Sequence, residues 1–292
     1  MKKSIQDLFR MYREKEPIAW VTSYDYPLAM ASEKAGVDMI LVGDSGGMCM
    51  LGYTTTNPVT MDEMILMAKA VRRGAPNTFI VGDMPQGSYE VSDEEAVKSA
   101  LRFVKEAGVD AVKLEGGSRV SDRVGAIVAA GILVIGHLGL TPQSSASLGG
   151  YKVQGTSQEE IDAIILDAGH LASCGASIIL LEAMPDNASK QIRKAIGIPL
   201  MGIGAGKEVD GQLLIIHDLL GLHQPFRPKF AKCYVPTALT EFADKVYAQT
   251  DLKKFGIVTR EDGLFSLATI AVRCFVEEVK SGMFPTEGYI YQ

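Results

Sequence analysis

The chain has 292 residues, 47% hydrophobic and 22% charged, with 30 Gly and 12 Pro and no low-complexity tract, so it is long enough for a sizeable core and lacks the make-up of a disordered protein. Its formal net charge of -6 comes without a Lys/Arg-rich stripe, which excludes the electrostatic footprint of a nucleic-acid binder. Apolar runs fall short of the ~20 residues that cross a bilayer, and Cys49, Cys174, Cys233 and Cys274 are scattered without a CxxC pair, which excludes a membrane helix and a zinc ribbon.

The opening stretch, MKKSIQDLFRMYREKEP, mixes charged with apolar residues where a secretory signal would be continuously apolar. The expectation is a cytoplasmic protein with reduced thiols. Short β-rich apolar runs then follow at 19–25 (AWVTSYD), 38–44 (DMILVGD), 79–83 (FIVGD), 111–116 (AVKLEG), 133–139 (LVIGHLG), 177–183 (SIILLEA), 198–206 (IPLMGIGAG) and 213–218 (LLIIHD). Helical candidates separate them at about 27–36, 61–73, 92–107, 119–131, 157–174 and 186–196, several opened by a capping residue such as Ser92 with Glu95 three positions on. The connection between runs seven and eight is too short for a full helix. Eight alternations in roughly 200 residues predict an α/β protein of the (β/α)8 TIM-barrel class. A doubly wound open sheet would need a GxGxxG turn after an early strand, and none occurs there. The later GIGAGKEVDG follows run seven, where barrels commonly keep an anion-binding loop. Beyond 235 the pattern changes, and 237–248 and 264–281 read as amphipathic helices packed on the barrel or at a subunit interface. The expectation is one domain, 1–292, with 236–292 as a C-terminal helical extension.

Barrel active sites lie at the C-terminal ends of the strands. The polar residues there are Asp25, Asp44 with Ser45, Asp83, Lys113 with Glu115, His137, Glu182, the Gly202 to Gly206 loop, and His217 with Asp218. A lone acid at a strand end commonly caps the following helix. Convergence points elsewhere: Asp44, Asp83 and Glu115 end neighbouring strands, so three carboxylates face one spot, with Lys113 two residues from Glu115 on the same side. Crowded anions repel, and a hard divalent cation relieves them; an all-oxygen set favours Mg²⁺ over Zn²⁺. The competing reading is a salt-bridge network with Lys113 and Arg side chains. Lys113 itself reads as an ion-pair partner, as a Schiff-base lysine, or as a cation for a substrate carboxylate. The adjacent acids hold an amine protonated and so favour the last. His137 points toward the same ring and either orients substrate or is a satisfied rim histidine. Glu182 ends an apolar strand across the barrel, a setting that raises a carboxyl pKa and suits a general base, though a loop-capping carboxylate is the plainer alternative.

These positions sit in segments that resemble the ketopantoate hydroxymethyltransferase family: VTSYDYPLA, LVGDSGGM, PVTMDEM, AVRRGAPN, VKLEGG, GHLGLTPQS with GGYKVQG, LLEAMP, GIGAG, DGQ and PKFAK, in order from about 19 to 232. The resemblance implies a barrel of the phosphoenolpyruvate/pyruvate-domain type, assembled as a homodecamer, acting on a 2-oxo acid with Mg²⁺ and with 5,10-methylenetetrahydrofolate as co-substrate. It further implies that Asp44 and Asp83 bind the metal directly and Glu115 supports it through water. Ser45, Asp83, Lys113 and His137 then hold the oxo acid, and Glu182 is the base that generates an enolate. The sequence departs from the family pattern at Thr54 and Asn57 in GYTTTNPVT, at Gln86 after Asp83, in an insertion around 249–264, and in its ending, SGMFPTEGYIY. Asn57 and Gln86 motivate an alternative, a metal-dependent aldolase or lyase acting on a different 2-oxo acid.

Overall fold

The computed structural model describes residues 2–222, 228–247 and 264–291. Eight parallel strands, β1 (Ile18–Thr22), β2 (Met39–Val42), β3 (Phe79–Asp83), β4 (Ala111–Glu115), β5 (Leu133–Gly139), β6 (Ile178–Glu182), β7 (Leu200–Ile203) and β8 (Gly211–Leu214), close into a barrel in chain order. They are nearly continuous apolar runs because one face fills the barrel and the other meets the helices. Around them lie α1 (Ile5–Glu14), α2 (Tyr26–Ala35), the single turn α3 (Gly46–Cys49), α4 (Met61–Gly74), α5 (Asp93–Arg102), α6 (Ser121–Ala129), α7 (Gln158–Ser173) and α8 (Asp186–Ala195). The single turn α9 (Ile216–Leu219), α10 (Val235–Tyr247) and α11 (Leu264–Lys280) follow β8. The expected alternation is therefore present, and no helix intervenes between β7 and β8.

Local chemistry starts several helices where it was expected. Ser92 accepts from the Glu95 amide, while Thr60 and Ser157 form reciprocal capping boxes with Glu63 and Glu160. The N-terminal stretch forms α1, capped by Ser4 and burying Leu8 and Met11, so its charged and apolar residues are the two faces of a helix. The eighth strand begins and ends earlier than 213–218, since only Gly211 to Leu214 pair with β1, and the Ile216 amide donates to Thr22 Oγ1 at 3.1 Å as the chain turns into α9.

The lower end of the barrel repeats one device. Asp38, Asp110 and Asp210 each stand just before a strand, and each carboxylate accepts from a strand amide, that of Ala19 at 2.8 Å, Ile80 at 2.9 Å and Leu200 at 2.8 Å. Each is also paired with a cation: Asp38 with Lys3 and Lys280, Asp110 with Lys2 and Arg72, Asp210 with Arg193. Asp38→Ala would leave a buried N–H without its acceptor and two amines without their counter-charge. Urea unfolding is expected to show a loss of about 2–4 kcal/mol, with no change in the reaction at the opposite end.

The C-terminal helices are built into this body. α11 packs on α2, α10 and β1, and Phe275 meets Tyr234 and Phe284 edge-on at 5.8 Å in each case. The last residues then return to the upper end, where Tyr291 bridges to Pro185 beyond β6. The expected insertion around 249–264 lies almost wholly outside the described residues.

Candidate active site

Strand register brings the predicted residues together. In β3 and β4, Asp83 stands beside Lys113, and in β4 and β5, Glu115 stands beside His137. Lys113 and Glu115, two apart, therefore point to the same side, into the barrel. Asp44 and Ser45 follow β2 at the start of α3, and Glu182 ends β6 beside Gly139. All seven residues expected at the site line a single pocket of about 500 Å³ at the upper end of the barrel.

The polar contacts form a chain across it. The Asp44 amide donates to Asp83 Oδ2 at 3.1 Å. Lys113 Nζ lies 2.7 Å from Asp83 Oδ1 and 3.2 Å from Glu115 Oε1. His137 joins the two halves, with Nδ1 3.3 Å from Glu115 Oε1 and Nε2 3.2 Å from Glu182 Oε2. Ser45 Oγ is 2.8 Å from the Tyr24 hydroxyl.

Burial sets the electrostatics. It pushes the Asp44 carboxyl well above the usual carboxylate range, and the neighbouring Asp83 adds to this. Burial also raises Asp83, against the pull of Lys113. Glu115 behaves oppositely: burial works to raise it, but Lys113 and the His137 hydrogen bond overcome this and hold it down at about 2. Burial and Lys113 press His137 downward, yet its two carboxylate partners prevail and raise it to about 9, so the imidazole is charged at neutral pH. Lys113 is held protonated by Asp83, Glu115 and Asp44 despite its burial, a state in which an amine is no nucleophile. Cys49 also lines the pocket, but burial pushes its thiol up to about 12, which removes the thiolate that covalent chemistry needs.

A divalent cation was tested against this donor set. Among the described residues, no three His, Cys, Asp or Glu side chains form a ready-made metal cage. Glu115 has Oε1 engaged by Lys113 and His137 and Oε2 by the Gln143 amide at 3.0 Å. Asp83 also has partners on both oxygens, Lys113 on Oδ1 and the Asp44 amide on Oδ2, and it and Asp44 are adjoining buried carboxylates whose ionised forms are disfavoured by their surroundings. That set fits a hard ion held by two carboxylates and completed by water or a chelating ligand, the mode magnesium favours.

Other strand-end residues separate from the cluster. Asp25 is the N-cap of α2, accepting from the Leu28 amide at 2.8 Å. His217 lies with its ring 5.3 Å from that of Tyr24 and tilted by 43°, while the buried Asp218, on α9, lines the pocket. The glycine loop after β7 is not an open anion cradle: Asp186 Oδ1 accepts from the Lys207 amide at 2.7 Å and from that of Glu208 at 3.3 Å. Gly206, with φ +76°, has no room for a side chain, since a Cβ there would lie 2.2 Å from the same Oδ1.

Asn57 and Gln86, the departures that motivated a different substrate, are exposed and do not line the pocket. They bond to each other across its rim, and Asn57 also donates to the Gln143 carbonyl at 2.9 Å. The unusual ending does reach the pocket, where Tyr291 lies 6.3 Å from Phe230 in an edge-on contact. The sequence expectations overlooked Gln143, Tyr89 and Tyr291. Gln143 stands in the segment GHLGLTPQS, but nothing local marks it or the two tyrosines as part of the site.

The sequence model of the family described as Ketopantoate hydroxymethyltransferase matches residues 2–287. The chain is 49% identical over 290 residues to a 3-methyl-2-oxobutanoate hydroxymethyltransferase from Alkaliphilus metalliredigens, covering 99% of this chain and 93% of the relative. It is 47% identical over 294 residues to one from Ignicoccus hospitalis, covering the whole of both. Among solved structures it is similar to 2,3-dimethylmalate lyase, a PEP mutase/isocitrate lyase superfamily member, with a TM-score of 0.59 at 17% identity over 95% of this chain and 96% of that one. It is also similar to phosphonopyruvate hydrolase crystallised with oxalate and Mg++, with a TM-score of 0.58 at 13% identity over 89% of this chain and 90% of that one. At such identities these two structures bear on the fold alone.

Proposed function

The chain belongs to the ketopantoate hydroxymethyltransferase family and is a transferase, and from that premise we propose that it moves a hydroxymethyl group from 5,10-methylenetetrahydrofolate to 3-methyl-2-oxobutanoate, giving 2-dehydropantoate. The observation that carries this reading is the unbroken line of contacts from the Asp44–Asp83 pair through Lys113, Glu115 and His137 to Glu182. It joins a cation-ready end of the pocket to a carboxylate placed as a base.

Asp44 and Asp83 would hold Mg²⁺, with Glu115 supporting it through water; the bound ion would polarise the keto oxygen of the oxo acid and so acidify its C3–H. Lys113 offers a fixed positive charge to the substrate carboxylate, and the Ser45 hydroxyl, kept in place by Tyr24, offers a second donor. Asp83 and His137 complete the oxo-acid pocket. Glu182 removes the C3 proton. Its Oε2 faces His137 at 3.2 Å, a contact that would fix the carboxylate and leave Oε1 for the proton, which supports the role of general base. Water releases the one-carbon unit from the two folate nitrogens at the formaldehyde level, leaving tetrahydrofolate; the substrate enolate then attacks that carbon, its C=O π bond breaks as the C–C bond forms, and the resulting alkoxide takes up a proton to give the hydroxymethyl group. Leu140, Ile203 and Phe230, among the apolar residues of the lining, suit the isopropyl group. As parts of the same reading, the protein is a single-domain cytoplasmic enzyme, 1–292, assembled as a homodecamer; the family resemblance supports the assembly. No described helix is long and apolar enough to cross a membrane.

The test is proton exchange at C3 of 3-methyl-2-oxobutanoate in deuterated water, followed by proton NMR with and without a chelator, beside a product assay with methylenetetrahydrofolate. Exchange that stops on chelation, together with 2-dehydropantoate formation, is the expected result. Turnover of other oxo acids alone would refute the assigned substrate.

A further inference from the structure

Gln143 lies just past β5 in a single 3-10 turn, Pro142–Ser144, and is buried to within 3%. Its backbone N–H and side-chain amide are directed at the site, while its carbonyl accepts from Asn57 at the rim. The backbone N–H donates to Glu115 Oε2 at 3.0 Å. The side-chain amide nitrogen donates to Asp44 Oδ2 at 2.8 Å and to the Met84 carbonyl at 3.0 Å. The amide oxygen accepts from the Tyr89 hydroxyl at 2.5 Å.

The orientation of this amide follows from its neighbours. The Met84 carbonyl is an acceptor without a proton of its own, so the NH₂ group has to face it and Asp44. On the other side, the Tyr89 oxygen accepts from the Glu115 backbone N–H at 3.3 Å, and its hydroxyl lies much nearer Gln143 Oε1, at 2.5 Å, than its other acceptor, the Glu115 carbonyl, at 3.4 Å. The Met84 carbonyl sets the flip state, and the short Tyr89 contact agrees with it.

We infer that Gln143 is a positioning residue for the metal-holding carboxylate of Asp44, a neutral donor whose side chain occupies Asp44 Oδ2 so that the other oxygen is presented to the pocket, while its backbone N–H holds Glu115 Oε2 beside it. This rests on the divalent-cation reading above. The choice of an amide has a physical reason. A Lys or Arg in its place would donate equally well but would cancel the negative charge that attracts the cation, and a Glu would add an anion while supplying no N–H to Asp44. An amide restrains a carboxylate and leaves the charge of the site unchanged. Tyr89 keeps the amide from rotating.

The experiment titrates metal-stripped, full-length protein with Mn²⁺, by calorimetry and by electron paramagnetic resonance of the bound ion, for the parent, Gln143→Met and Tyr89→Phe. Gln143→Met keeps length and volume and the backbone N–H to Glu115 but has no side-chain N–H for Asp44, and its Mn²⁺ Kd is expected to rise about 10- to 100-fold, the range found when partners of metal ligands are removed. An altered zero-field splitting of the bound ion should accompany it. Tyr89→Phe retains the amide but releases it, and a smaller rise of a few-fold is expected. Circular dichroism establishes that each variant is folded. A folded Gln143→Met that binds Mn²⁺ within twofold of the parent, with an unaltered spectrum, overturns the inference. If that variant does not fold, Tyr89→Phe decides, and a Kd equal to the parent's overturns it. A parent that binds no Mn²⁺ brings down the cation reading itself, a failure visible before any variant is compared.

Discussion

Glu182→Gln is expected to lower C3 proton exchange by about two to four orders of magnitude, the usual contribution of a positioned general base, while leaving the fold intact. The carboxylate faces the pocket with 17% of its side chain exposed, and its charged partner is His137. Glutamine keeps the shape and one acceptor toward His137 but has no basic oxygen with which to take a proton. The deficit should therefore appear in the exchange rate at saturating oxo acid, with the apparent affinity for the oxo acid nearly unchanged, because Ser45, Asp83 and Lys113, which are assigned to hold it, do not touch Glu182, and glutamine keeps an acceptor toward His137. Proton NMR of the substrate methine in deuterated water measures both quantities. Exchange at the parent's rate in a folded Glu182→Gln protein would remove Glu182 from its assigned role.

Lys113→Met is expected to have the largest effect on stability, a loss of about 3–5 kcal/mol in metal-free protein at neutral pH. Its ammonium is the nearest cation to two buried carboxylates, those of Asp83 and Glu115, and methionine fills the space without replacing the charge. The sign of the pH dependence follows from Glu115. Its pKa is lowered from 4.5 to about 2 in the folded chain, so its contribution to stability is present above about pH 4.5 and is lost as pH falls toward 2. The gap between parent and variant should accordingly be wide at pH 7 and narrow in acid. Saturating Mg²⁺ should restore part of the lost stability by supplying positive charge to the same anions. Thermal unfolding at several pH values, with and without Mg²⁺, checks all three expectations. The same variant is expected to lose activity because the substrate carboxylate loses its counter-charge. Borohydride treatment of the parent with oxo acid should leave Lys113 unmodified, since a protonated, ion-paired amine does not form a Schiff base.

The residues legible in advance share a simple property: each follows or ends a short apolar run, and parallel strands in chain order place successive run ends side by side. Asp44, Asp83, Glu115, His137 and Glu182 could be grouped on that basis without knowing a contact. The same rule over-reached at Asp25, which caps α2, and at His217, carried by a short helix instead of a strand end. Asp38 and Asp44 bracket one strand and show how direction divides identical chemistry. The first meets strand amides and lysines at the lower end, and the second meets carboxylates at the upper end.

Gln143 and Tyr89 were not legible. Their partners lie as much as 99 residues away in sequence, and their surroundings predict nothing beyond a turn. Asn57 and Gln86 look like pocket residues because Gln86 is close to Asp83 in sequence, yet the chain after β3 leaves the barrel and carries Gln86 to the rim.

The sequence by itself determined the alternation of strand and helix, the several helix starts and the chain-order list of strand-end polar groups, because these depend on backbone preference and on a side-chain period of two residues. Barrel closure decided the rest. Which carboxylate faces Lys113, which faces Gln143, and how far each is removed from water depend on loops meeting across the upper end, and those distances exist only once β8 has paired with β1.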